Sequence, residues 1–381
     1  MRLKRLMVAL RKLDRKIVSL AVELPEKKYR IGLMMLVVAL IAACALILHL
    51  TRRDLHFDLF FIPLMAGCLF FRLRGFYFFP LALLAFHLAS IRPEMTFIDY
   101  VLKDFIEVIK WSLLSLIVVL AVNKFVDVKK FEERMKRDVD LAKALQKTLL
   151  SKAFDLERIR VLGYIHQCME VGGDFYYFRP FKKKHVVLAI GDVMGKGIPA
   201  SLVMAVIMSF FYEWGKKSYS PAFILDKINR RLIDLWGEGS WYSTMFYSIL
   251  DEETRELTYS NAGHQKGIII RGSGSIELLE AEGFPVGVFS ANQWLEKKTV
   301  LFPGDKVILF TDGVSEARSP EGQLFSFPRL LDRIKEARDS SLEDILEHIL
   351  EDVKRHSGTF FESDDVALVM MEVKGKSPQP S

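Results

Sequence analysis

Cysteine is scarce in this chain, with three residues in 381, at positions 44, 68 and 168. A disulfide framework is thereby excluded, and no Cys/His spacing suited to zinc occurs, a usage that fits a reducing compartment. A general excess of basic charge is missing as well. The formal net charge is +6, but residues 1–30 hold ten Lys/Arg against Asp14, Glu23 and Glu26, which leaves −1 for everything after them. No nucleic-acid partner is expected from such a distribution. The first long apolar run starts late and lacks a small-residue cleavage site, so a cleaved signal peptide is not expected. No internal repeat or low-complexity tract occurs, apart from a polar tail after Lys374.

Apolar side chains, in contrast, are plentiful: 51% of residues are hydrophobic and the mean hydropathy is +0.20. The excess sits in the first third. Leu3, Leu6, Met7, Leu10, Leu13, Ile17, Leu20 and Leu24 form one helical stripe among cations, which fits the inner face of an anionic membrane; a plain solvated helix fits the same spacing. Ile31–Leu50 is uncharged and long enough to cross a bilayer, and further apolar runs cover Phe57–Phe71, Gly75–Ile91 and Ile106–Val122. Four crossings are expected, with the short middle pair readable alternatively as a re-entrant hairpin. The basic head, Arg72, Arg74, Lys124, Lys129 and Lys130 would then be cytoplasmic and Asp99, Asp104 and Glu107 external, with Arg52 and Arg53 the exception. From Phe125 to Leu150, apolar residues at Val128, Phe131, Met135, Val139, Ala142, Leu145 and Leu149 make a coiled-coil-like seam, or one face of a helix packed on its own domain.

Beyond residue 156 strand-like runs mix with helical blocks without regular βαβ alternation, which predicts an α+β fold with stacked sheets and outer helices. Helices are expected at Pro199–Trp214, Pro221–Trp236, Phe327–Glu336 and Leu342–His356, and Cys168 is placed in a strand. Four acidic motifs stand at the ends of strand-like runs: Val-Gly-Gly-Asp ending at Asp174, Ile-Gly-Asp-Val around Asp192, Phe-Thr-Asp-Gly around Asp312, and Ser-Asp-Asp-Val at Asp364 and Asp365. Carboxylates far apart in sequence but delivered from adjacent strands build all-oxygen sites for hard cations, Mg²⁺ or Mn²⁺. A metal-dependent hydrolase is the expectation, with two ions supplied by these ligands.

The order of these motifs, together with Gly191-Asp-Val-Met-Gly-Lys-Gly-Ile-Pro-Ala, Asn261-Ala-Gly-His, Gly283-Phe-Pro-Val-Gly and Thr311-Asp-Gly-Val-Ser-Glu-Ala, closely resembles the SpoIIE/RsbU branch of the PPM metal-dependent Ser/Thr protein phosphatases. The resemblance covers roughly residues 140–373. It implies an α-β-β-α sandwich, Mn²⁺ or Mg²⁺ between the sheets, Asp174 and Asp192 as the catalytic pair, the Val193 carbonyl as a further ligand, and Asp312 with Asp364 or Asp365 completing the site, Asp364 ranking first. It also implies a phosphorylated protein substrate of the anti-sigma-factor-antagonist kind. His264 is readable as a proton donor, as a phosphate contact, or as a structural part of its turn. Departures from relatives are Tyr177, where many have another acid, Lys196 in place of a frequent His, and Ala367 in place of a frequent Thr.

Three other readings fail on the residues. Gly172-Gly-Asp-Phe lacks the acid that diguanylate cyclases place between Asp and Phe, and Gly191–Gly197 is too short for a phosphate-binding loop, with Gly instead of Ser/Thr after Lys196. No phospho-acceptor helix or glycine-rich lid marks a histidine kinase. The expected organisation is a basic amphipathic helix (1–30), a transmembrane region of about four helices (31–124), a helical coiled-coil-like linker (125–152), a phosphatase domain (153–375) and a tail (376–381). The whole reads as a receptor phosphatase of a bacterial inner membrane, in contact with lipids, homodimeric through its linker and with its catalytic domain in the cytoplasm. A catalytically weak pseudo-phosphatase acting as a scaffold is the rival.

Overall fold

The computed structural model describes residues 35–46, 85, 97–182, 184–215, 218–358 and 364–375. The expected basic helix, the tail and nearly all of the second and third apolar runs lie outside these residues. The chain divides into two compact units, Met1–Lys136 and Arg137–Ser381.

In the first unit Met35–Leu46 forms helix α1, within the first apolar run. Helix α2 runs from Phe97 to Leu149, a single helix of 53 residues. It contains no Gly or Pro, so nothing in its sequence breaks the hydrogen-bond ladder, and at 1.5 Å per residue it is about 80 Å long. The fourth apolar run and the seam are thus parts of one element, whose final turns belong to the second unit.

The second unit is built on two sheets. The first has the strand order β1-β2-β11-β10-β7-β8 and the second β3-β4-β5-β6-β9, where β1 is Phe154–Asp155, β2 Ile159–His166, β3 Phe175–Phe181, β4 His185–Val193, β5 Ser243–Asp251, β6 Glu256–Ala262, β7 Gly267–Ile270, β8 Ile276–Leu279, β9 Lys297–Val300, β10 Lys306–Phe310 and β11 Val366–Val373. Every pairing is antiparallel. Alternation along β4 shows how the layers stack. Val186, Leu188 and Ile190 enter the core shared with Val161, Leu309, Val369 and Met371 of the first sheet. Val187 and Ala189 point the other way, into a core shared with helices α3 (Gly197–Trp214) and α4 (Pro221–Trp236). The first sheet is covered on its outer face by α6 (Phe327–Glu336) and α7 (Leu342–Ser357), through Leu330, Ile334, Ile345 and Ile349. A four-residue helix, α5 (Asp312–Ser315), follows β10. The result is an α+β arrangement of four layers, helices outside two stacked sheets.

Local chemistry sets the helix ends. Ser220 accepts from the Phe223 amide with Pro221 in the first turn of α4, and Ser341 accepts from the Asp344 amide at the start of α7. Gly358 ends α7 in the left-handed conformation, φ 68°. Among the described residues one helix, α3, is long and apolar enough to cross a membrane. Its Ala200, Val203, Met204, Ile207, Met208 and Phe211 are buried, which identifies it as a core helix of this domain. One expectation is corrected: Cys168 is not in a strand. β2 ends at His166, and the Cys168 amide donates to Asp365 Oδ1 at 2.9 Å instead of joining a ladder.

Candidate metal centre

The register of each sheet brings two acidic motifs to one end. In the second sheet Phe175 pairs with Gly191, so Asp174, just ahead of β3, stands beside Asp192 near the end of β4. In the first sheet Phe310 pairs with Leu368, which sets Asp312, just past β10, beside Asp364 and Asp365, just ahead of β11. The two pairs face each other across the sandwich. Thr311 joins them: its hydroxyl donates to Asp174 Oδ2 at 2.7 Å and accepts from the Ala367 amide at 2.8 Å.

Burial and mutual repulsion dominate the electrostatics. Desolvation, then the Asp192 charge, holds the Asp174 carboxyl well above the ordinary carboxylate range. Asp192 is pushed up to about 7 by burial and by Asp312, against a stabilising hydrogen bond with Asp174. Asp312 is raised by burial and by Asp364. Carboxylates that repel one another in a poorly solvated cleft hold protons unless a multivalent cation takes their place, so the donor set fits a hard divalent ion. Among the described residues no three His, Cys, Asp or Glu side chains close on one point as they stand.

Not every acid in the motifs is equally available. Asp365 is buried, its Oδ1 accepting from the Cys168 amide and its Oδ2 from the Gly173 amide at 2.9 Å. It clamps the Gly172–Asp174 loop. A Cβ at Gly172 would lie 2.0 Å from Asp365 Oδ2, and one at Gly313 would lie 1.9 Å from the Asp365 carbonyl oxygen, so both glycines are required by close approach. Asp364 is half-exposed, and its Oδ1 pairs with Lys196 Nζ at 2.9 Å. The Val193 carbonyl lies against the same loop, 2.8 Å from where a Gly173 Cβ would be.

His264 stands at the same end of the second sheet. Its Nδ1 is 2.8 Å from Thr244 Oγ1, its amide donates to Asn261 Oδ1, and Asn261 Nδ2 donates back to the His264 carbonyl. Burial lowers its pKa to about 4, so the ring is neutral near pH 7. Tyr177 is buried under α3, stacked on Phe211 at 5.1 Å, and faces away from the carboxylates. Two contributors are not singled out as site residues by the sequence. Thr311, inside the Phe-Thr-Asp-Gly motif, is one. The other is Gln146 in the last turn of α2, whose amide side chain donates to the Gly172 carbonyl at 2.8 Å and accepts from the Gly172 amide at 3.4 Å.

The family model described as Stage II sporulation protein E (SpoIIE) matches residues 182–374. The chain belongs to the SpoIIE family. The match begins just after β3 and runs through β11, taking in Asp192, Asp312 and Asp364. The chain is similar to the phosphoserine phosphatase RsbU of Bacillus subtilis, 29% identical over 64% of this chain and 72% of that protein. It is also similar to the phosphoserine phosphatase RsbP of the same organism, 26% identical over 64% of this chain and 60% of that one. The fold of this SpoIIE-family domain is shared with the SiaA-PP2C domain of Pseudomonas aeruginosa, with a TM-score of 0.56 and 18% identity over 64% of this chain and 98% of that domain.

Proposed function

We propose that this SpoIIE-family chain is a divalent-metal-dependent protein serine/threonine phosphatase, anchored in a membrane and acting on a phosphorylated regulatory protein. The observation that carries the reading is the convergence of Asp174 and Asp192 from one sheet with Asp312 and Asp364 from the other. The resemblance to RsbU and RsbP, both phosphoserine phosphatases, supports the substrate class. An anti-sigma-factor antagonist is the expected kind of substrate protein.

Asp174, Asp192, the Val193 carbonyl, Asp312 and Asp364 would hold Mn²⁺ or Mg²⁺. When bound, such ions neutralise phosphate charge and lower the pKa of water. Thr311 holds Asp174 in place from the side, and Asp365 fixes the loop that presents it. His264, half-buried and neutral near pH 7, is held at the turn after β6 by Asn261. The scaffold reading is disfavoured by a complete set of carboxylates. Asp192→Asn in the full-length protein should reduce Mn²⁺-dependent hydrolysis of p-nitrophenyl phosphate and of a phosphoserine protein at least 100-fold with its fold retained. Near-normal rates in that variant at saturating Mn²⁺ would refute the assignment.

Membrane anchoring draws support from helix α2, where Ile109, Leu113, Leu116, Ile117 and Leu120 are exposed large apolar side chains on one stretch. Beyond it Val128, Phe131, Met135 and Leu145 are exposed along the seam, which supports a homodimer through the stalk. Four crossings place both chain ends on the cytoplasmic side of a bacterial inner membrane. Reporter fusions after Lys130 and within residues 92–103 should then give opposite readings, and matching readings would overturn that topology.

A further inference from the structure

A lysine stands against one member of the carboxylate cluster. Lys196 caps the start of α3 in extended backbone, φ −139° and ψ 164°, and makes no side-chain capping bond there. Its ammonium instead crosses to Asp364 on the other sheet, 2.9 Å away, and its charge also bears on Asp312. Gly195 and Gly197 on either side have φ of 87° and 70°, left-handed conformations that glycine adopts without strain. The same short loop starts three residues after Asp192 and two after Val193. One segment therefore carries both donors for a cation and a cation of its own.

We infer that Lys196 is a resident counter-ion on Asp364 that a divalent metal ion must displace, so that this lysine sets the metal concentration at which the site fills. The inference rests on the metal-site reading above. Three observations support it. Asp364 is the half-exposed ligand, and the one backbone amide on it is that of the next residue, whereas the oxygens of Asp365 accept from the Cys168 and Gly173 amides. The ammonium shares Asp364 Oδ1 with the Asp365 amide, at 2.9 and 3.0 Å, so a metal ion that takes this carboxylate meets a cation already on it. Both partners are partly solvated, at 43% and 46% side-chain exposure, so the pair is weak enough to exchange.

Mn²⁺ titration calorimetry on the full-length protein in detergent tests this with five proteins: wild type, Lys196→Met, Lys196→Arg, Asp364→Asn and the Lys196→Met/Asp364→Asn double variant. Lys196→Met should tighten the weakest Mn²⁺ binding step by about fivefold, the scale of one exposed ion pair. In the Asp364→Asn background the same substitution should change Mn²⁺ affinity less than twofold, because the partner is gone. Lys196→Arg keeps the charge and should stay close to wild type, which guards against a general effect of altering the loop. Unchanged or weaker Mn²⁺ binding in Lys196→Met overturns the inference, as does equal tightening with and without Asp364. Failure of the wild type to bind Mn²⁺ at all would instead overturn the metal-site reading itself.

Discussion

Thr311 holds Asp174 with one hydroxyl hydrogen bond and the Ala367 amide with another, both within a buried environment. Thr311→Val keeps the shape but leaves a buried amide without an acceptor and a buried carboxyl without a donor. Leaving such groups unsatisfied costs about 1–3 kcal/mol. Thr311→Val should therefore lower the unfolding free energy of the domain by that amount and shift its denaturant midpoint down accordingly, while Thr311→Ser should recover most of it. Equal midpoints for Val and Ser would show that the hydroxyl is not the stabilising group. Asp365 works at the same scale. Its acidic neighbour in the sequence looks equivalent, yet backbone amides consume both of its oxygens. Nothing in the Asp-Asp dipeptide distinguishes the two, because the amides come from residues nearly two hundred positions earlier.

At the scale of elements, α2 carries the seam directly into the catalytic unit, where Gln146 grips the Gly172 backbone and Tyr212 Oη donates to the Leu149 carbonyl at 3.1 Å. A one-residue insertion near Lys136 rotates everything downstream by about 100°, whereas seven residues nearly restore the phase. Single-residue insertions should change basal phosphatase activity in membranes, and seven-residue insertions should largely preserve it. Uniform activity across the series would reduce α2 to a tether. Most elements of the catalytic unit were legible beforehand. Pro221–Trp236 and Phe327–Glu336 occur as their patterns imply, because periodicity and Pro in the first turn are local signals. The edge strands β1, β8 and β9 were not anticipated. They are two to four residues long and partly exposed, too short for a period to register. Cys168 falls outside a strand because its backbone amide donates to Asp365, a partner far along the chain, instead of to a neighbouring strand. Gln146 and Thr311 act across 26 and 137 residues, distances at which a single sequence carries no pairing information.

At the scale of the molecule, one SpoIIE-family domain follows a helix about 80 Å long in which residues 111–123 carry no charge. The acidic motifs gave away the chemistry of the domain, since only strand ends facing one another could use so many aspartates at such separations. The arrangement also divides the labour. One sheet presents Asp174 and Asp192, the other presents Asp312 and Asp364, and the proposed cation site lies where they meet. Anomalous diffraction at the manganese edge, from crystals of the protein grown with Mn²⁺, tests this most directly. One or more peaks bounded by the carboxylates of Asp174, Asp192, Asp312 and Asp364 are predicted, and they should vanish in Asp192→Asn crystals. Mn²⁺ concentrations that support hydrolysis but give no peak in that cleft, or a peak bound elsewhere, would contradict the account.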